Sequence, residues 1–239
     1  MKNKNKSVDT NRNNEFLTIK EKFKYTEKQI EILKTGLNKD TRCLILDGAA
    51  GTSKTFLGVL IALKLLNQRK IRNISYIRSL IQSQDGETGF IPGDINEKTE
   101  SFNVPLIDKL QEFLIKPEIT KLFKEEIIKT FPTSMLRGNQ LEGCVIVDEC
   151  QNLLFSSIET ALTRMGEHSL IILCGDASGS QNDLGVKTGF KKACQLFSDK
   201  ESQDNGIFYF KLDPSDIVRS KFVKFIVEKI QKYNSLDKK

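Results

Sequence analysis

Two stretches of this chain combine residue types suited to holding phosphate and to taking a proton from water. The first is Gly48-Ala49-Ala50-Gly51-Thr52-Ser53-Lys54-Thr55, directly after the apolar run Leu44-Ile45-Leu46-Asp47. It reads as a phosphate loop of the form G-x-x-x-x-[G/S]-K-T, with Ser53 where the usual pattern has its last glycine. Gly48 and Gly51 let the backbone turn tightly, so that the N–H groups of the loop, Ala49, Ala50, Thr52 and Ser53 included, form a nest for phosphate oxygens. A helix beginning at about Ser53 would aim its partly positive end at the same anion. Lys54 is expected to bridge the β- and γ-phosphates of a nucleotide, and Thr55 to place its hydroxyl on Mg²⁺. A plain Gly/Ala turn with an ordinary lysine shares this composition, but not the strand before it and the helix after it. Serine at position 53 is expected to be tolerated because a helix N-terminus accepts it well.

The second stretch is Cys144-Val145-Ile146-Val147-Asp148-Glu149-Cys150-Gln151. An apolar strand ending in two acids, downstream of a phosphate loop, reads as the acidic half of an ATP site. Asp148 would hold Mg²⁺ through water, and Glu149 would orient or deprotonate the attacking water. Adjacent acids at a strand end are otherwise a common solvated turn; the phosphate loop is what favours the functional reading. Arg78 ends a further strand-like run, Asn73–Ile77, and the carboxyl ends of strands carry the site in open α/β sheets. A polar residue after Leu170–Cys174, Asp176 or Gln181, could sense the γ-phosphate from the other side. Gln29 lies one helix upstream of the loop, where its carboxamide could read an adenine edge or simply face water.

The elements that must position these residues are legible in outline. Thr26 can cap a helix carrying Ile30, Leu33 and Leu37 toward the core, and the phosphate-loop helix runs to about Leu66. Gln84 to Asp94 is dense in turn formers. Residues from about Phe102 to Thr130 carry helical patterning interrupted at Pro117, which fits two helices with Ile127 and Ile128 in the second. A strand at Leu170–Cys174, a helix opening near Gly189, a strand at Ile207–Leu212 and a terminal amphipathic helix complete the chain. Ser215 or Asp216 would cap that last helix, with Val218, Phe222, Phe225, Ile226, Ile230 and Tyr233 on one side and Arg219 in its first turn.

At 239 residues the chain suits one α/β domain with a sizeable core, preceded by a flexible basic tail over residues 1–22 and spanning 23–235. No apolar run approaches the roughly 20 residues that span a bilayer, and no apolar stretch of signal-peptide kind follows the Lys/Asn-rich start, so a soluble, cytoplasmic protein is expected. The five cysteines form no C-x-x-C pair and read as reduced core residues. The net charge of +6 is uneven: residues 1–24 carry seven Lys/Arg against three acids and 219–239 seven against two, leaving −3 between them. Basic ends could attract nucleic acid or be solvated flanks. The lone His168 falls in a polar turn and reads as a surface residue.

Together with the loop and the Asp-Glu-x-Gln box, four segments resemble PhoH-like proteins, stand-alone ATPases of bacteria and phages with a core similar to superfamily 1 helicases. They are Gly89-Phe90-Ile91-Pro92-Gly93-Asp94, Leu136-Arg137-Gly138, Asp148-Glu149-Cys150-Gln151-Asn152 and Leu162-Thr163-Arg164-Met165-Gly166, and the resemblance covers residues 23–235. It implies a RecA-like P-loop fold, with a mainly parallel sheet and helices on both faces. By the same resemblance Gln29 is the adenine-reading glutamine, Gln181 the glutamine of a Gly-Asp-x-x-Gln motif, and Arg219 a finger on the γ-phosphate of a neighbouring subunit. Ile77-Arg78-Ser79 stands where the family has Thr-Arg-Pro, and Gly179 and Ser180 lengthen the Gly-Asp-to-Gln spacing. Arg78 and Arg137 are the candidates for nucleic-acid contact.

The function expected is Mg²⁺-dependent ATP hydrolysis coupled to single-stranded RNA or DNA, in a homo-oligomer with a hexameric ring as the anticipated form. A nucleotide-gated oligomeric binding protein without motor activity is the alternative. A small-molecule kinase fits less well, because the Asp-Glu-x-Gln box is present and an Arg-dense lid is not.

Overall fold

The computed structural model describes residues 16–21, 23–78, 95–138, 140–178, 189–217 and 221–236. Among these, six strands form one sheet: β1 (Cys43–Asp47), β2 (Ile74–Arg78), β3 (Ile128–Pro132), β4 (Cys144–Asp148), β5 (Leu170–Gly175) and β6 (Ile207–Lys211). Their order is β3-β2-β4-β5-β1-β6, with every pairing parallel. β1, β4 and β5 are continuous apolar runs, buried at every position, as strands covered on both faces must be.

Alternation along the strands divides the core in two. Leu44, Leu46, Ile74, Tyr76, Ile146 and Ile172 face helices α1 (Glu27–Gly36), α2 (Lys54–Asn67), α3 (Ile95–Gln111) and α4 (Lys116–Lys124). Cys43, Ile45, Ile77, Val145, Val147 and Leu173 face α5 (Phe155–Thr163) and α6 (Gly189–Leu196) on the other side. α2 is buried along almost its whole length, from Phe56 to Leu66, and anchors the phosphate loop to the centre of the fold. A short α7 (Lys200–Asp204) leads into β6, and α8 (Lys221–Leu236) closes the described chain. All five cysteines are buried and unpaired with one another.

Several local expectations are corrected. Ile128 belongs to edge strand β3, not to a helix: Glu126 adopts a left-handed φ of 54° that ends α4, and Ile-Lys-Thr-Phe-Pro then runs extended beside β2. Pro117 opens α4, where its missing N–H costs nothing. On α1 the buried stripe is Gln29, Ile32 and Gly36, whereas Ile30 points outward. Gly36 packs closely there: a Cβ would lie 2.6 Å from the tip of the Ile61 side chain, which would have to shift to admit it.

The packed chain also begins ahead of the boundary expected at residue 23. Leu17 is buried, its N–H donates to Asn67 Oδ1 at 2.9 Å, and Lys20 N–H donates to Phe113 O at 2.9 Å. Phe23 continues this anchor with ring contacts to Phe56 and Phe113, at centroid distances of 4.7 and 5.7 Å.

At the other end, neither Ser215 nor Asp216 caps α8. Asp213 caps a 3₁₀ turn, Pro214–Asp216, and the described helix begins at Lys221. Its apolar side lies open: Phe222, Phe225, Ile226, Ile230 and Tyr233 are all exposed.

Candidate active site

Because all six strands run the same way, their carboxyl ends gather Asp47, Arg78, Asp148 and Gly175 at one edge of the sheet. The phosphate loop leaves β1 there. Gly48 N–H donates to Gly175 O at 3.1 Å, and a Cβ on Gly48 would sit 2.8 Å from both Leu212 O and Thr52 Oγ1, so only glycine fits. Gly51 has a φ of 83°. Thr52 is fully buried, and its hydroxyl donates to Ala49 O at 2.7 Å, bracing the turn from within. Ala50 is exposed at the loop's apex and Ala49 half-buried.

Ser53 is tolerated for a different reason from the one expected. It sits in the left-handed region, at φ 69° and ψ 21°, and its side chain makes no capping hydrogen bond. The position needs a glycine-like backbone, and serine takes it at a conformational cost of order 1 kcal/mol.

Lys54 and Thr55 begin α2. Lys54 Nζ folds back to Gly48 O and Ala49 O, at 2.6 and 2.9 Å, so its ammonium already stands over the loop. Thr55 Oγ1 donates to Asp148 Oδ1 at 2.8 Å, across β5. The other Asp148 oxygen accepts from Tyr76 Oη at 2.6 Å. Tyr76 is paired in register with Ile146, so its ring reaches diagonally to the strand end. Burial first, and then the Asp148 charge, push the Tyr76 hydroxyl far above its ordinary pKa, which keeps it a donor.

Glu149 follows in a left-handed backbone, at φ 54° and ψ 42°. Its Oε2 accepts from Gln151 Nε2 at 2.5 Å, and the buried Gln151 in turn accepts the Asp176 N–H at 3.3 Å. Its Oε1 lies 3.6 Å from Arg78 Nη2. The carboxylate is therefore tied to β5 through Gln151 and to β2 through Arg78. Beneath it, burial pushes the Cys150 and Cys174 thiols well above their usual range, so both are inert packing groups.

A family model described as PhoH-like protein matches residues 19–231. The chain belongs to that family. This PhoH-like chain is 35% identical over 189 residues to the PhoH-like protein of Bacillus subtilis, covering 78% of this chain and 57% of that protein. It is 29% identical over 203 residues to Protein PhoH of Escherichia coli K12, covering 81% and 54%. The chain thus spans about half the length of the curated relatives it matches. Among solved structures it resembles the large terminase of a thermophilic bacteriophage, with a TM-score of 0.52 at 12% identity, over 86% of this chain and 50% of that one. The fold is a P-loop NTPase fold, with a parallel sheet between two helical layers.

The remaining sequence candidates fall differently. Gln29 is buried and committed: its Oε1 accepts from Thr26 N–H at 3.1 Å in a capping box, and its Nε2 donates to Asp216 O at 2.8 Å. Thr26 Oγ1 also donates to the buried Asp216, at 2.7 Å, so α1 is locked to the turn before α8. Arg137 lies in a 3₁₀ turn, Thr133–Gly138, beyond β3. Gln181, Val218, Arg219 and the segment Gly89–Asp94 lie outside the described residues.

Sequence reasoning missed four contributors. Asp47 ends β1, where its Oδ1 accepts from Ala177 N–H and its Oδ2 from Tyr209 Oη, each at 2.8 Å. Tyr76 and Gln151 hold the two acids of β4 in place. Gln151 carried a signal, its place in the Asp-Glu-x-Gln box; the two tyrosines carried none without the strand register.

The donor set suits a nucleotide with Mg²⁺. The loop offers amides, an ammonium and the start of a helix to phosphate, and a Thr hydroxyl beside a carboxylate offers oxygen ligands to a hard cation. Among the described residues no group of three or more His, Cys, Asp or Glu could hold a metal alone. A cation held by Thr55 and Asp148 would take its other ligands from phosphate and water, as Mg²⁺ does. No helix of the described residues is long and apolar enough to cross a membrane.

Proposed function

We propose that the protein is an ATPase that hydrolyses ATP with Mg²⁺, coupled to single-stranded RNA or DNA. The observation that carries this reading is the hydrogen bond between Thr55 and Asp148: the loop hydroxyl and the strand-end carboxylate that would share a magnesium ion already touch, at 2.8 Å. Lys54 and the amides of residues 48–55 bind the β- and γ-phosphates, and Thr55 and Asp148 would hold the ion, which when bound would neutralise charge on the phosphate oxygens. Glu149 takes the proton of the attacking water. As the new oxygen–phosphorus bond forms, the bond between the γ-phosphorus and the bridging oxygen breaks, releasing ADP and phosphate. Gln29 reads the adenine, once its bond to Asp216 yields, and Gln181 senses the γ-phosphate.

Arg78 and Arg137 are assigned to the nucleic acid, supported for Arg78 by its contact with Glu149 at the site and for both by the basic ends of the chain. The protein acts as a cytoplasmic homo-oligomer, a hexameric ring in the expected form, with Arg219 completing a neighbour's site. The exposed apolar side of α8 supports self-association, because contiguous exposed apolar side chains mark interaction surfaces.

The test is phosphate release from ATP and Mg²⁺ with and without single-stranded RNA, for the wild type and Glu149→Gln. A rate that RNA raises and Glu149→Gln abolishes is the expected result. A protein that binds ATP but turns it over slowly and indifferently to RNA would be a nucleotide-gated binding protein instead. Sedimentation velocity tests the assembly, and a monomer with full activity would overturn it.

A further inference from the structure

The two oxygens of Glu149 are held very differently. Oε2 is anchored from inside by Gln151, itself buried and bonded to the end of β5. Oε1 is held from outside by Arg78, across 3.6 Å, which is an ion pair longer than a hydrogen bond. The Arg78 and Glu149 side chains are 35% and 37% exposed, so this second contact can be reached from solvent, whereas the first rests on a buried partner, Gln151. Arg78 is also the last residue of β2, opposite Asp148 in register, and stands at the mouth of the site.

We infer that Arg78 is a latch on Glu149, released when a phosphate of a bound single strand takes its guanidinium. With Arg78 engaged, Oε1 faces a cation and its lone pairs are turned from the attacking water. A phosphodiester offers the guanidinium two non-bridging oxygens for a two-pronged contact at hydrogen-bond distance, which the single 3.6 Å contact to the Glu149 carboxylate does not match. Once Arg78 turns to the strand, Oε1 is free to accept the proton, while Gln151 keeps the carboxylate in place. Arg78 is thus a positioning residue that makes hydrolysis depend on the polynucleotide. The pair is partly exposed, so the latch is light and biases the rate by up to about 5-fold. This inference rests on the proposed coupling to nucleic acid.

The experiment compares wild type, Arg78→Ala, Arg78→Lys and Glu149→Gln combined with Arg78→Ala, each with and without polyuridylate. For Arg78→Ala the basal kcat rises about 3- to 5-fold with KM for ATP unchanged, and polyuridylate stimulation falls to none. Arg78→Lys keeps the charge and restores part of both, and the double variant is inactive, showing that the gain runs through Glu149. An Arg78→Ala basal rate at or below that of a wild type that polyuridylate does stimulate overturns the latch alone. A wild type unmoved by polyuridylate and by oligodeoxythymidylate alike overturns the coupling, and with it the strand as the releasing ligand.

Discussion

Asp47 and Asp148 end two strands of the same sheet in nearly the same way. Both are buried, and both accept a hydroxyl from a tyrosine on a neighbouring strand, Tyr209 for Asp47 and Tyr76 for Asp148. They differ in the second oxygen. Asp148 gives it to the Thr55 hydroxyl, a side chain that can turn and let a cation share the carboxylate. Asp47 gives it to the backbone N–H of Ala177, which cannot turn away without moving the chain after β5. Burial and charge alone do not separate an architectural carboxylate from one placed for chemistry; the replaceability of the partner does.

Substitution should pull the two apart. Asp148→Ala is expected to lower kcat at least ~100-fold, roughly the several kcal/mol that a metal ligand supplies, and unfolding in urea shows a loss of about 3 kcal/mol because the Tyr76 and Thr55 hydroxyls are stranded. Asp47→Ala should cost stability alone, about 3 kcal/mol, by stranding the Ala177 N–H and the Tyr209 hydroxyl. Its kcat, measured well below the melting temperature, should fall by less than about 5-fold, corresponding to about 1 kcal/mol. Equal losses of activity in the two variants would erase the distinction.

The tyrosines sharpen it further. Tyr76→Phe and Tyr209→Phe should each cost about 1 kcal/mol of stability. Only Tyr76→Phe should raise the Mg²⁺ concentration for half-maximal ATPase, by about 10-fold, as loss of a group that orients a metal ligand does. Between the two strand ends lies the loop, where Ser53→Gly should raise stability by about 0.5–1 kcal/mol by relieving the positive φ, seen as a higher urea midpoint.

The smallest effect belongs to a third carboxylate, Asp213, half exposed at the turn after β6. Hydrogen bonds from Ser215 and then from Lys28 lower its pKa to about 2. A carboxyl held below its unfolded value adds stability above the ordinary carboxylate range and loses it as pH falls through about 2. NMR titration should find that midpoint, and Ser215→Ala or Lys28→Ala should each move it upward, with little change in global unfolding because solvent screens the group.

Much of this site could be read before any coordinates. The phosphate loop, the acids of β4 and the strands that carry them are local patterns, in which an apolar run of strand length breaks at glycines or acids and restarts with helical period. Two kinds of feature were not legible. One is register: Tyr76 reaches Asp148, and Tyr209 reaches Asp47, only because β2 sits beside β4 and β6 beside β1. The other is left-handed backbone at non-glycine residues, Ser53, Glu126 and Glu149, which no residue type announces. Glu126 explains the misplaced end of α4, and the contacts of Gln29 with Thr26 and Asp216 hold α1 in the phase that turns Gln29 inward and Ile30 outward.

What the chain by itself determined is therefore the chemistry available: a loop for phosphate, a hydroxyl and a carboxylate for a cation, and a carboxylate for a proton, each encoded within a few consecutive residues. What only the tertiary structure decided is how those groups are held. The contacts that orient them, Thr55 to Asp148, Gln151 to Asp176 and Arg78 to Glu149, join residues distant in sequence, and their geometry depends on strand order and register. Local composition specifies the elements and tertiary packing specifies their neighbours, so the site's members were visible early and its wiring was not.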